Sequence, residues 1–195
     1  MSAARYQPFY CEENVWWLSR DPAVGPGPRW AVFVGNPGRQ CALWEQRLGP
    51  PGAPVVWDYH VVLVHRAPGG PQVWDLDSRL PCPSPAARWV RRTFPITVPE
   101  AFRPWFRVVP ADAYGRLFSS DRRHMRDERG RLRAPAPPWP PIRAEATGPH
   151  TLDAFMVPGE GPGEVYDKRG FERWLATGPA PAPHRGEGGR VGDVD

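Results

Sequence analysis

The sequence predicts an α+β fold, a single domain with an antiparallel sheet flanked by helices. Three observations lead there. At 195 residues the chain is long enough for one substantial core and too short for two. Ten Trp, eight Phe and five Tyr are an aromatic load that disorder would not explain. The 28 Pro and 20 Gly gather at 22–28, 49–54, 67–71, 134–141 and 178–192, so apolar segments alternate with turn-rich connections and no regular strand–helix–strand repeat emerges.

Taken in order, residues 11–20 read as a short helix, with Glu12 and Glu13 in its first turn and Arg20 at its end, both favourable to the helix dipole. Asp21-Pro22 stops it. Trp30 to Val34 reads as a strand ending at Gly35-Asn36-Pro37, and Cys41 to Leu48 as a short segment of ambiguous type. Residues 55–65 read as one strand and 72–76 as the next, joined by the turn-rich 67–71. Phe106 to Val109 is a further strand, and 111–118 a helix with Asp112 near its start. The Pro-rich 134–149 forms a long loop packed by Trp139; Thr151 or Asp153 opens a last turn, and 171–175 a terminal helix. Residues 177–195 read as a disordered Gly/Pro-rich tail behind a domain spanning 1–176.

Composition narrows the function. The net charge is +4 and almost all of the positive charge is arginine, Lys168 being the only lysine. Arg122-Arg123 and 129–133 suggest a small basic patch, but a solvated surface is the better reading, because the aromatic–basic pattern of RNA-binding modules is missing. No nucleic-acid partner is expected. No apolar run approaches membrane-spanning length and the first twenty residues lack a signal-peptide core, so no membrane partner is expected either. Cys11, Cys41 and Cys82 cannot all pair with one another, and no CxxC or HxxxH spacing points to a metal. These features fit a monomeric protein of the cytoplasm (or of the nucleus, in a eukaryote) with reduced thiols and no cofactor.

The strand 55–65 carries Asp58, Tyr59 and His60 in its middle, and the next carries Asp75. A turn centred on Gly69-Gly70 would be closed by Pro68 and Pro71, neither of which has an N–H to donate. A four-residue loop at 66–69 pairs His65 with Gly70, Val61 with Trp74, and His60 with Asp75. Because side chains alternate, His60 and Asp75 share a face whichever loop length holds. A lone buried histidine usually packs in a core. One aligned with an aspartate has its tautomer fixed and its imidazolium favoured, the orienting role of a catalytic triad's acid. Cys11 supplies a nucleophile, since a thiol at a helix N-terminus has its pKa lowered by the dipole, although Glu12 and Glu13 oppose this unless they point away. Cys41 most plainly packs, and Cys82 sits in a loop between prolines. Cysteine on a helix, then histidine on a strand, then aspartate on the next strand is the chain order of papain-like and transglutaminase-like thiol enzymes, so that architecture is expected.

The string Trp57-Asp58-Tyr59-His60-Val61 resembles the signature of the protein N-terminal glutamine amidohydrolase family, the WDYHV-motif proteins. So do Tyr10-Cys11-Glu12-Glu13-Asn14, Asp75-Leu76-Asp77, Phe106-Arg107-Val108 with Asp112-Ala113-Tyr114, and Ser120-Asp121-Arg122 with His124-Met125. The likeness runs in order from about residue 6 to 175. It implies deamidation of the side chain of N-terminal glutamine in proteins and peptides, with Cys11 as nucleophile, His60 as general base and acid, and Asp75 as orienting carboxylate. No metal or organic cofactor is implied. The Cys11 backbone N–H is a reasonable oxyanion donor. The substrate's α-ammonium needs an acceptor, for which Glu13, Asp58 and Asp121 are candidates. Two alternatives remain at this point: a module that binds protein N-termini without turning them over, and another thiol amidase, peptidase or transglutaminase.

Overall fold

A computed structural model describes residues 5–144 and 147–179. In chain order its elements are α1 (Cys11–Leu18), β1 (Arg29–Gly35), β2 (Cys41–Leu43), β3 (Val55–Trp57), β4 (Tyr59–Ala67), β5 (Gly70–Trp74), β6 (Ser84–Pro85) and α2 (Ala86–Thr93). There follow β7 (Trp105–Pro110), α3 (Ala111–Leu117), α4 (Leu152–Met156), β8 (Glu164–Tyr166) and α5 (Lys168–Thr177). Six strands form one antiparallel sheet in the order β6-β5-β4-β1-β7-β8, and β2 pairs with β3 separately. The α+β fold with helices against an antiparallel sheet is as expected. The tail expected at 177–195 lies outside the described residues from 180 onward.

Both faces of the sheet are dry, which is why β1 and β4 read as continuous apolar runs. On β1, Trp30, Val32 and Val34 enter a core that includes Trp89 of α2 and Phe171 and Trp174 of α5. Ala31 and Phe33 enter the other, with Val15 and Leu18 of α1, Tyr114 of α3 and Phe155 of α4. Phe33 stacks on Phe155 at 5.1 Å and meets Tyr114 edge-on at 5.6 Å. Truncating it to Ala would cost about 3–5 kcal/mol.

Four features depart from the sequence reading. Residues 55–65 are not one strand: Asp58 Oδ1 accepts the Tyr59 N–H at 2.9 Å, and the chain passes there from the small sheet to the large one. This local side chain–backbone bond interrupts the extended run. The β4–β5 turn has two residues rather than four, with Ala67 opposite Gly70 and Leu63 opposite Trp74. Pro68 lies inside the turn, where its missing N–H costs nothing, and Gly70 takes the positive φ of 112°. Helix α2 is an unforeseen element, burying Ala86, Trp89, Val90 and Thr93 while Arg91 and Arg92 close its last turn. Arg122 is no surface cation but is buried against Glu13.

Candidate active site

The two-residue turn shifts the hairpin by two positions from the expected register, which preserves the faces. His60 and Asp75 are diagonal rather than directly opposed. Asp75 lies just past the end of β5, and its Oδ1 meets His60 Nε2 at 2.9 Å. The same carboxylate accepts from Trp89 Nε1 at 3.0 Å, Gln46 Nε2 at 3.2 Å and the Asp77 N–H at 3.2 Å. Burial alone would push the Asp75 carboxyl up, but His60, Trp89 and Gln46 outweigh it and hold it below the ordinary carboxylate range. Burial likewise pulls His60 down, and Asp75, helped by Asp77 and Glu12, more than reverses this, so imidazolium is favoured. Trp57 covers the ring, stacked at 5.3 Å. His60 Nδ1 is buried and has no partner.

Cys11 is the first residue of α1, and α1 packs against β4. Its thiol lies by the Val61 N–H, one residue past His60, but its hydrogen bond goes to Glu12, with Sγ 3.7 Å from Oε2. Burial pushes the thiol well up; Glu12, Asp77 and Asp58 add to this and the Val61 N–H opposes it. The depression expected from the helix dipole is therefore overturned by burial and neighbouring acids. His60 and Asp75 are brought together directly, whereas Cys11 and His60 share no hydrogen bond. Cys41 is buried in β2, as expected, and Cys82 is exposed in the loop before β6.

Cys11 lies at a cavity of about 300 Å3, whose wall also includes Trp57, Asp58, Tyr59, His124 and Met125. Of the three acids proposed for the substrate amine, only Asp58 lines it. Glu13 is held by Arg122, with Nε and Nη2 at 2.8 Å from its two oxygens, and by Trp139 Nε1 at 2.7 Å. Asp121 is engaged by Arg123 and His150, and the Arg123 hydrogen bond brings its carboxyl down to about 2. His60, Asp75 and Asp77 place ligand atoms within 4.8 Å of one another, a spacing a metal could use. Asp75 is taken by the bonds above and Asp77 Oδ1 by Tyr6 Oη at 2.6 Å, so the group reads as a hydrogen-bonded network. His124, Gln46, Trp89 and Tyr59 were given no role from the sequence and Glu12 only that of opposing the thiolate; Glu12, Tyr59 and His124 stand in the motifs quoted above, whereas Gln46 and Trp89 stand in none.

Residues 6–175 match the family model for N-terminal glutamine amidase. The chain belongs to that family. It is 44% identical over 177 residues to the protein N-terminal glutamine amidohydrolase of Drosophila grimshawi, covering 85% of each chain. To the proteins of that name from Drosophila mojavensis and Drosophila melanogaster it is 42% identical, over 185 and 182 residues, covering 89% and 88% of each chain. It is accordingly an amidohydrolase. Among its described residues no helix is long and apolar enough to cross a membrane.

Proposed function

We propose that this amidohydrolase deamidates the side chain of N-terminal glutamine in peptides and proteins, through a Cys11–His60–Asp75 triad and a thioester, in a papain/transglutaminase-like arrangement. The observation that carries the reading is His60: Nε2 is bound to Asp75, Trp57 covers the ring, Nδ1 has no partner, and its strand β4 packs against α1, the helix that presents Cys11. Asp75 favours the Nε2–H tautomer, so Nδ1 holds the lone pair that takes the thiol proton. Thiol–imidazole contacts often close only in the substrate complex.

Cys11 Sγ then bonds to the γ-carboxamide carbon, and the oxyanion is met by the Cys11 N–H. His60 returns the proton to nitrogen as the C–N bond breaks, and ammonia leaves. A water deprotonated by His60 attacks the thioester carbon, giving the γ-carboxylate and restoring the thiol. The steps balance with water alone, so no cofactor enters. Asp58 offers a carboxylate at the cavity wall, while Glu13 and Asp121 support the surrounding frame. The protein works as a monomer in the reducing cytoplasm, without nucleic acid.

The test is ammonia release from a Gln-initiated peptide. Cys11→Ala should abolish it with thermal stability nearly intact, and Cys41→Ala and Cys82→Ala should keep most of it. Turnover by Cys11→Ala would refute the mechanism.

A further inference from the structure

Glu12 is the anomaly of the site. It is fully buried, and no arginine or lysine pairs with it among the described residues. Its Oε2 accepts from Tyr59 Oη at 3.0 Å and from the Cys11 thiol. Its Oε1 has no hydrogen-bond partner: His124 Nε2 is 3.2 Å away but misaligned, and both His124 ring nitrogens are unsatisfied too. A carboxylate in that condition is costly. It also works against the nucleophile, since it accepts the thiol's hydrogen bond and its charge helps push the thiol up.

We propose that Glu12, with His124, is the receptor for the substrate's α-ammonium, and that its occupation releases the Cys11 thiol to His60. The inference rests on the reading of Cys11 as nucleophile. An ammonium has three N–H donors and one positive charge; Glu12 has no arginine or lysine among the described residues, and neither its Oε1 nor His124 has a hydrogen-bond partner. Glu12 touches Tyr59 and His124, which line the cavity, without lining it itself, so His124 must swing aside for the ammonium to reach it; the ammonium then neutralises Glu12 and competes for the oxygen that holds the thiol. The proton on Sγ then has the unpartnered His60 Nδ1 as its acceptor. Asp58, the alternative anchor, is exposed, so water screens its charge and weakens its discrimination. A neutral N-acetyl or α-hydroxy terminus leaves Glu12 unpaired and the thiol where it rests. Selectivity for a free N-terminus thus becomes a property of nucleophile activation as well as of binding.

The test compares Glu12→Gln and Asp58→Asn with the parent enzyme. The readouts are ammonia release from Gln-initiated peptides bearing either an α-amine or an α-hydroxyl, and alkylation of Cys11 by iodoacetamide followed by mass spectrometry. In the parent, replacing the amine should lower kcat/KM by about 10²-fold or more, the scale of a lost charge-assisted bond. In Glu12→Gln that difference should fall below about threefold, while Cys11 alkylation becomes faster than in the parent. A purely structural Glu12 would leave the amine preference in place or slow alkylation. Asp58→Asn should keep the preference. Should Glu12→Gln not fold, Glu12→Asp serves, its withdrawn carboxylate reducing the amine preference. An unchanged preference in the Glu12 variants, or its loss in Asp58→Asn alone, overturns the inference while leaving Cys11 as nucleophile. Activity in Cys11→Ala overturns the reading beneath it.

Discussion

Replacing Asp75 by Asn removes one charge and converts one acceptor oxygen into a donor, and both consequences can be followed atom by atom. Oδ1 accepts from His60 and the Asp77 N–H; Oδ2 accepts from Trp89 and Gln46. If the amide keeps its oxygen toward His60, its NH2 faces two buried donors that lose their acceptor. At about 1–3 kcal/mol for each unsatisfied group, the cost is about 2–6 kcal/mol, a large part of the ~5–15 kcal/mol that holds a domain together. If the amide flips, its NH2 confronts His60 Nε2, which must become the acceptor. The ring proton then moves to Nδ1, the nitrogen that has to receive the thiol proton. The flip strands only the Asp77 N–H rather than two donors, so the orientation that costs less stability disables the base, and the rate should fall by about 10²–10⁴-fold. Urea unfolding and ammonia release on the folded fraction measure the two effects separately. A variant within about 0.5 kcal/mol of the parent in stability and within about threefold of it in kcat/KM would show that the four-bond assignment at Asp75 is wrong.

Arg122→Ala should destabilise by about 3–5 kcal/mol, because it strands the buried Glu13 carboxylate; Arg122→Lys should rescue only part of this, since a lysine cannot bridge both oxygens, as urea midpoints will report. Trp89→Phe removes one donor to Asp75 without touching His60, and should lower stability by about 1–2 kcal/mol while leaving most activity. His60 is raised in the folded state, so its stabilising charge is fully present below its unfolded value near about pH 6.5 and is lost as pH rises through the folded value. The gap in melting temperature between parent and Asp75→Asn should therefore narrow on going alkaline, and a widening gap would contradict the pairing. Asn-initiated peptides, one methylene short, should be poor substrates by on the order of 10²-fold in ammonia release.

What could be read in the sequence was what depends on parity and local chemistry. His60 and Asp75 meet although the turn was placed two residues wrongly, because a slip of two returns every side chain to the same face. Cys11 opens a helix as its surroundings imply. The partners of Asp75 were not read: Ala86, Trp89, Val90 and Thr93 do follow the i, i+3, i+4, i+7 spacing of an amphipathic helix, but nothing in that spacing ties Trp89 to Asp75, and Gln46 comes from a loop. Glu12 looks like any first-turn acid until α1 packs on β4 and encloses it. Asp58, in a run of apolar residues, gives no hint in one dimension that the chain changes sheets there.

The acids gathered around Cys11 also have a bearing on how a turnover ends. Glu12, Asp77 and Asp58 all bear on the thiol. The substrate's carboxamide enters this ring neutral and leaves it as a carboxylate. A new negative charge here is disfavoured chiefly by buried Asp77, since the substrate's own ammonium offsets Glu12 and water screens exposed Asp58. The neutral carboxamide meets no such repulsion on entry; the transient oxyanions are met by the Cys11 N–H, and the carboxylate product carries the charge that persists. The cavity is thus biased toward emptying, and a Glu-initiated peptide should compete poorly with its Gln-initiated precursor.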